Sequence, residues 1–168
     1  EDRMQRVIIN GQASSWKKLN AGVPRISVLG PLLFLLFIND VSNVVDHCHI
    51  RMFADNTCLF LEVENSNNNY ERERFRYHTA ECINHDLNKI YLWSKKWLVT
   101  FSPPKTKSLT ISNKPDSHLN PNLHLNDHEI DEIKHHKYLG LRLSRNLKWT
   151  GHIHDISTKA RKRLSLII

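Results

Sequence analysis

The segment IRMFADNTCLFL, residues 50–61, decides the fold expected for the centre of this chain. Two apolar runs with a preference for β-structure flank two turn-forming residues, Asp55 and Asn56, and this pattern predicts a β-hairpin with that pair at its tip. A carboxylate on a tight turn is well placed to offer oxygen to Mg²⁺. Sites that hold two metal ions need two such carboxylates close together, and here the second position is an amide. The hairpin therefore predicts a metal site or the remains of one.

The composition is that of a basic chain long enough for one domain with a core. The 168 residues include 24 Lys+Arg against 17 Asp+Glu, which gives a formal net charge of +7. A basic surplus suits a polyanionic partner such as nucleic acid, although many proteins with other functions share it.

Cysteine usage and the absence of a visible signal peptide indicate an intracellular protein, in the nucleus or the cytoplasm, that is not secreted. Cys48, Cys58 and Cys82 form no CxxC pair and are odd in number, which is typical of free thiols; we expect Cys58 to pack in the core of the hairpin. The apolar run from Val28 to Ile38 is shorter than the roughly 20 residues that a bilayer span needs. We therefore expect a buried helix there and no membrane partner.

Turn signals and hydrophobic periodicity divide the rest of the chain into short elements. The pair Asn10–Gly11 predicts a turn between two strands, and Pro31 fits the first turn of a helix buried on most sides. A polar linker over residues 64–69 precedes a long amphipathic helix whose apolar stripe predicts core packing. The stripe consists of Ala80, Ile83, Leu87, Ile90, Tyr91 and Trp97. Further elements are expected as strands at Ser108–Ile111, Leu123–Leu125 and Tyr138–Leu143, a turn at Asn126–His128 and a basic helix from Thr150.

Four blocks of sequence, in the right order, resemble the reverse transcriptases of non-LTR (LINE-type, jockey-like) retrotransposons. Residues 22–34, GVPRISVLGPLLF, resemble the family's GVPQGSVLGPLLF segment, and residues 53–56, FADN, resemble the YADD box that holds catalytic metal. The two remaining blocks are Trp93 and Trp97 with residues 105–107, and residues 137–141 with residues 147–149 and 152–153. Together the blocks cover about residues 6 to 163.

The resemblance implies an α+β fold: a partial polymerase palm, an antiparallel sheet backed by helices, with the start of a thumb helix. The palm would occupy residues 1–148, without its N-terminal strand, and the thumb helix would begin in residues 149–168. The family's activity is RNA-directed DNA synthesis, in which a primer 3′-hydroxyl attacks the α-phosphate of a dNTP. The implied partners are an RNA template, a DNA primer and dNTP, and the implied cofactor is Mg²⁺, with Mn²⁺ as an alternative.

The resemblance also assigns roles to particular residues. Asp55 matches the first metal-binding aspartate of the box, Asn56 stands at the second as a degenerate position, and Lys105 would lie near the departing pyrophosphate. The template and nucleotide loop would include Gly22, Pro24, Arg25 and Ser27. The primer grip would be formed by Tyr138, Leu139 and Gly140. For the lysine, a solvated loop position is the favoured alternative, and for Tyr138–Gly140 a packed core strand is an equal one.

Three departures from the family pattern predict that this chain is inactive. Asn56 offers a neutral oxygen and so weakens Mg²⁺ binding. No match is found for the aspartate that the family carries on a strand before Gly22, so we expect a truncated fragment. Arg25 and Ile26 replace Gln and Gly, and a β-branched residue cannot supply the backbone freedom of a glycine.

Three hypotheses therefore stay open for the chain. It is a retroelement relic without activity, a piece of a longer and active polymerase, or a non-catalytic nucleic-acid-binding module that uses the basic C-terminal helix. We expect no structural zinc, because the histidine candidates lack the short regular spacings of zinc sites. These candidates are His135–His136, His152 with His154, and His47-Cys48-His49.

Overall fold

The computed structural model describes residues 4–19, 29–64, 66–113 and 120–166, and it divides the chain into two units, residues 1–40 and 41–168. The described elements mix helices with antiparallel strands, which confirms the α+β class. The predicted division at residue 148 stays a prediction. No helix in the described ranges combines the length and the apolar character that a bilayer crossing requires.

The first unit begins with a nested hairpin around Asn10–Gly11, as predicted. Both turn residues have positive φ, +51° and +80°, which is the conformation of the favoured two-residue hairpin turn. Its strands are β1 (Met4–Gln5), β2 (Ile8–Ile9), β3 (Gln12–Ala13) and β4 (Lys17–Lys18). The outer pair of strands joins β1 to β4 and the inner pair joins β2 to β3.

Helix α1 (Leu29–Ile38) follows in the first unit, with Pro31 in its first turn as expected. The expectation that this helix is buried on most sides is wrong for the described structure. Leu32 and Leu36, for example, are 53% and 66% exposed. A helix that is apolar all round needs neighbours all round, and the described residues do not supply them.

A 3₁₀ helix (Asn39–Asn43) crosses the boundary between the two units at residue 40. The second unit continues with the predicted hairpin of β5 (His49–Phe53) and β6 (Asn56–Phe60). Helix α2 (Asn69–Trp97) follows. The Asn68 side chain caps its first turn by accepting a hydrogen bond from the Tyr70 N–H at 3.0 Å. Leu98 ends the helix in the left-handed conformation, at φ +56°.

The rest of the second unit consists of two hairpins and a helix. A 3₁₀ turn (Pro103–Lys105) is followed by β7 (Leu123–Leu125) paired with β8 (His128–Ile130), then β9 (His135–Tyr138) paired with β10 (Leu141–Ser144), and α3 (Thr150–Leu164). The basic helix and the Leu123–Leu125 strand are confirmed. His128 pairs with Leu125 and so belongs to a strand instead of the predicted turn.

Two strand predictions are wrong. Ser108–Ile111 contributes only an isolated bridge between Ser108 and Glu132, because the partner backbone runs beside it for a single residue. The strand predicted over Tyr138–Leu143 is broken by a turn at Leu139–Gly140, where both residues have positive φ. The sequence signal for that turn was the glycine.

The core of the second unit lies where α2 packs against the β7–β8 hairpin. Leu87, Leu125 and Ile130 are buried together. The partly buried residues around them are Leu59, Ile83, Tyr91, Phe101 and Leu123. The predicted apolar stripe on α2 is therefore largely confirmed, but Trp97 is 40% exposed and Trp93, 6% exposed, is the buried indole of this face.

Candidate functional site

Asp55 lies in the turn of the β5–β6 hairpin, but this turn is displaced by one residue from the predicted Asp55–Asn56 pair. Phe53 pairs with Asn56, so the two-residue turn is Ala54–Asp55 and Asn56 is the first residue of β6. Ala54 has φ +51°, a conformation that is costly for a residue with a Cβ atom. This register places the Asp55 carboxylate in the turn and the Asn56 amide at the first position of β6.

Asp55 and Asn56 are both exposed. Among the described residues, three or more metal-ligating side chains converge at one place, and Asp55 is not part of that group. Two-metal phosphoryl transfer needs converging carboxylates. The residues present therefore do not form a two-metal site around Asp55.

The half-buried Cys58 lies on β6, three residues beyond Asp55. Burial raises the pKa of its thiol above the usual 9.0, so the thiol stays protonated near neutral pH. Cys58 packs in the hairpin as expected, although not as a fully buried residue.

The other predicted site residues occupy separate places in the second unit. Lys105 is the exposed last residue of a 3₁₀ turn. Tyr138 ends β9 half-buried, and burial, with a smaller contribution from Cys58, raises the pKa of its hydroxyl. Leu139 and Gly140 form the turn between β9 and β10, with φ values of +48° and +87°. Gly22, Pro24, Arg25 and Ser27 lie outside the described residues.

A basic cleft of about 320 Å³ lies between the β9–β10 hairpin and α3. The Arg142 guanidinium donates to both carboxylate oxygens of Asp155 at 3.3 Å, and its backbone N–H donates to Nδ1 of His152 at 3.3 Å. These contacts fix the start of α3 against β10. The remaining lining includes the cationic or titratable side chains Lys137, His154 and Lys159.

Sequence reasoning missed the role of Asp86, which is fully buried on α2. Its carboxylate accepts hydrogen bonds from three successive backbone N–H groups of the turn before β5: Asp46 at 3.1 Å, His47 at 2.9 Å and Cys48 at 2.7 Å. The available signal was its place in the helical pattern, three residues after Ile83 and four before Ile90. An aspartate on an apolar face has to find hydrogen-bond donors.

Protonation equilibria at this junction follow from burial and hydrogen bonding. Burial alone raises the pKa of Asp86, but the N–H groups of Asp46, Cys48 and His47 outweigh it and hold the pKa below its usual 3.8. Burial, reinforced by the neighbouring Asp86 carboxylate, raises the pKa of the Cys48 thiol from 9.0 to about 12. The carboxylate is therefore charged and the thiol neutral at physiological pH.

A second layer of contacts lies on the exposed side of the same junction. Asp46 accepts from the Lys89 ammonium at 2.8 and 2.7 Å, and its Oδ2 lies 3.1 Å from Nε2 of His85. The Lys89 and His85 hydrogen bonds, in that order, lower the pKa of Asp46. The rings of His47 and His85 meet edge to face, with centroids 5.4 Å apart.

Polymerases of mobile elements are similar to this chain in sequence. It is 27% identical over 165 residues to the RNA-directed DNA polymerase from mobile element jockey of Drosophila melanogaster, an alignment that covers 98% of this chain and 18% of that protein. The chain is therefore similar in sequence to part of a jockey-type RNA-directed DNA polymerase. The probable RNA-directed DNA polymerases from transposon X-element and transposon BS of the same organism are 25% and 27% identical, again over 98% of this chain.

The jockey-type relationship confirms the resemblance drawn from the four sequence blocks. The chain spans less than a fifth of the length of these relatives. No protein-family model matches it, and no solved structure matches it.

Proposed function

We propose that this chain is a segment of a retrotransposon RNA-directed DNA polymerase, drawn from the palm and the start of the thumb. The observation that carries the proposal is the alignment of nearly the whole chain with polymerases of three mobile elements. The β5–β6 hairpin with Asp55 in its turn supports it, because a carboxylate on a tight turn is well placed to offer oxygen to Mg²⁺. The hairpins packed on α2 would belong to the palm and α3 to the thumb.

In a complete polymerase of this kind, an RNA template, a DNA primer and dNTP would be the substrates, and paired Mg²⁺ ions would supply the charge stabilisation. We propose that this chain by itself does not polymerise. Asn56 replaces a charged ligand with a neutral one, and Asp55 belongs to no group of three or more metal-ligating side chains among the described residues. Both features lower the affinity for Mg²⁺, because hard cations depend on the charge and number of their oxygen ligands.

Primer extension on an RNA template tests both parts of the proposal. Four proteins are compared with Mg²⁺ and with Mn²⁺: the chain as given, Asn56→Asp, the chain preceded by the aspartate-bearing strand of a jockey relative, and the combination of the two. We expect extension only from the combination. The matched control is Asp55→Ala in the combined protein, which should abolish extension by removing the remaining ligand.

Extension by the unaltered chain would show that another group completes the metal site and would overturn the inactivity. A folded combined protein that neither extends a primer nor binds template–primer would overturn the polymerase assignment.

A second function, nucleic-acid binding without catalysis, is favoured by the charge of α3. Lys159, Arg161, Lys162 and Arg163 are all exposed on this helix, and three of them lie in its last turn. Cations on one exposed helix are the pattern that binds phosphate backbones, and such binding weakens as salt rises.

Affinity for an RNA–DNA hybrid, measured by fluorescence anisotropy over a salt series, tests this function. The double variant Arg161→Ala, Lys162→Ala should bind more weakly and with a shallower salt dependence. A charge-matched control is Lys95→Ala, Lys96→Ala on α2, which should keep the original affinity. Equal losses in both variants would show that binding follows net charge alone and would remove α3 as the binding surface.

A further inference from the structure

Four metal-ligating side chains converge where the turn before β5 meets α2. Asp46 and His47 come from the turn, and His85 and Asp86 come from the helix. One ligand atom from each lies within 4.8 Å of the others. The set contains two imidazole nitrogens and two carboxylate oxygens, which is the donor chemistry of Zn²⁺ and its neighbours among the transition metals and differs from the all-oxygen sets of Mg²⁺.

The junction holds these donors in position before any ion is bound. Asp86 is fully buried and fixes the backbone of Asp46, His47 and Cys48 through three N–H bonds. The carboxylate still has accepting capacity on Oδ1, which receives one of the three bonds. His47 and Asp46 are therefore held facing the helix turn that carries His85.

The distances suit a small four-coordinate ion. Zinc bonds of about 2.0–2.1 Å in a tetrahedron place the donors roughly 3.4 Å apart. His85 Nε2 and Asp46 Oδ2 are already 3.1 Å apart. Asp46, His47 and His85 are exposed, so side-chain rotation can close the remaining separations.

A cation already sits at this place. The Lys89 ammonium lies 2.7 and 2.8 Å from the two carboxylate oxygens of Asp46. An ammonium held by a carboxylate that also contacts an imidazole nitrogen marks a position where positive charge is favoured. A metal ion that takes this carboxylate would displace Lys89 to solvent, which its partly exposed side chain permits.

We propose that Asp46, His47, His85 and Asp86 form a binding site for a divalent transition metal ion of the zinc class. This site is separate from Asp55 and does not depend on polymerase activity. It would join the turn before β5 to α2 and so fix the base of the hairpin that carries Asp55. No regular spacing announces it in the sequence, because Asp46 and Asp86 are 40 residues apart.

Calorimetric titration of the untagged, metal-free protein with Zn²⁺ at pH 7.5 tests the proposal, and we expect one ion bound per chain. His85→Ala should weaken binding by more than the roughly 10–100-fold that loss of a metal's outer-shell partner costs, because it removes a direct ligand. The matched control is His128→Ala, an exposed histidine on β8 outside the cluster, which should bind as the original chain does. Circular dichroism verifies that each variant is folded.

A third variant separates a metal site from a surface ion pair. Lys89→Gln removes the competing ammonium and should raise the affinity for Zn²⁺, whereas a merely structural Asp46–Lys89 pair gives no reason for tighter binding. Substitution with Co²⁺ provides a spectroscopic readout, with visible bands typical of four-coordinate nitrogen and oxygen ligands. Zn²⁺ binding that is absent, unchanged by His85→Ala, or accompanied by the near-ultraviolet absorption of cobalt–thiolate bonds would overturn the proposal.

Discussion

Two aspartates of this chain lie in opposite environments. Asp55 sits exposed in the turn of the β5–β6 hairpin and makes no hydrogen bond or ion pair with the described residues. Asp86 is fully buried and accepts three backbone hydrogen bonds. The first matches a sequence motif and contributes little to the folded state, while the second matches no motif and holds two segments together. A motif indicates similarity to other proteins, whereas burial and satisfied hydrogen bonds indicate which residues stabilise the fold of this chain.

The largest expected effect is the loss of Asp86. Asp86→Ala should lower the free energy of unfolding by about 3 kcal/mol. A buried donor left without an acceptor costs about 1–3 kcal/mol, and the cost is larger where the lost partner was charged. Urea denaturation followed by circular dichroism measures it. Asp55→Ala is the matched control and should stay within about 0.5 kcal/mol of the original chain, as exposed substitutions do.

Equal losses in the two alanine variants would remove the contrast between the aspartates. If Asp86→Ala does not fold, Asp86→Asn keeps an acceptor oxygen and should show a smaller loss of about 1–2 kcal/mol.

The contribution of Asp86 to the free energy of unfolding should also depend on pH. The folded-state pKa of Asp86 lies below its usual 3.8, so the stabilisation from its charge is fully present above pH 3.8 and is lost as pH falls through the lower folded-state value. The difference in unfolding free energy between the original chain and Asp86→Asn should be constant near neutral pH and shrink in acid. A difference that persists undiminished at pH 2 would contradict a charged Asp86.

Thiol reactivity compares the same two regions through their cysteines. Cys48 lies buried beside Asp86 with its pKa raised to about 12, whereas Cys58 lies half-buried on β6. Iodoacetamide at pH 8 should modify Cys48 more slowly than Cys58, because burial raises the pKa of both thiols and the Asp86 carboxylate acts on Cys48 in addition. Mass spectrometry of peptides follows both sites, and Asp86→Asn should accelerate Cys48 alone. Equal rates would show that the turn is open in solution.

The smallest effect is expected at the hairpin tip. Ala54 has φ +51°, so Ala54→Gly should stabilise the chain by about 0.5–1 kcal/mol by relieving the clash of its Cβ atom, less the added freedom of glycine when unfolded. Thermal unfolding measures the change. The control Ala80→Gly, in the middle of α2, should destabilise instead. A destabilised Ala54→Gly variant would show that the turn is not strained.

Local sequence signals predicted the elements that depend on few neighbouring residues. Asn10–Gly11 predicted a turn that the backbone angles confirm, and the 3.6-residue period predicted α2 and its buried Leu87. The hairpin tip was displaced by one residue, because turn propensity points to Asp55–Asn56 while strand pairing joins Phe53 to Asn56. Propensity locates a turn, but the register of the two strands decides which residues fill it.

The candidate sites likewise divide into residues that the sequence indicated and contacts that only the structure shows. The sequence pointed to Asp55 and Lys105 through resemblance, and the roles assigned to them stay predictions. It could not indicate that His47 meets His85, since that contact depends on how the turn before β5 lies against α2.

By itself, the sequence determined the mixed helix and strand class, the positions of the main turns and helices, and the similarity to jockey-type polymerases, because short motifs and periodic patterns carry this information. Only the tertiary structure decided that Asp86 is a buried acceptor, that Asp55 lies outside any group of three or more metal-ligating side chains in the described residues, and that four such side chains converge elsewhere. The physical reason is the distance along the sequence over which each interaction acts. Turn and helix preferences act over a few bonds, whereas these contacts join residues about 40 positions apart and exist only when the chain has packed.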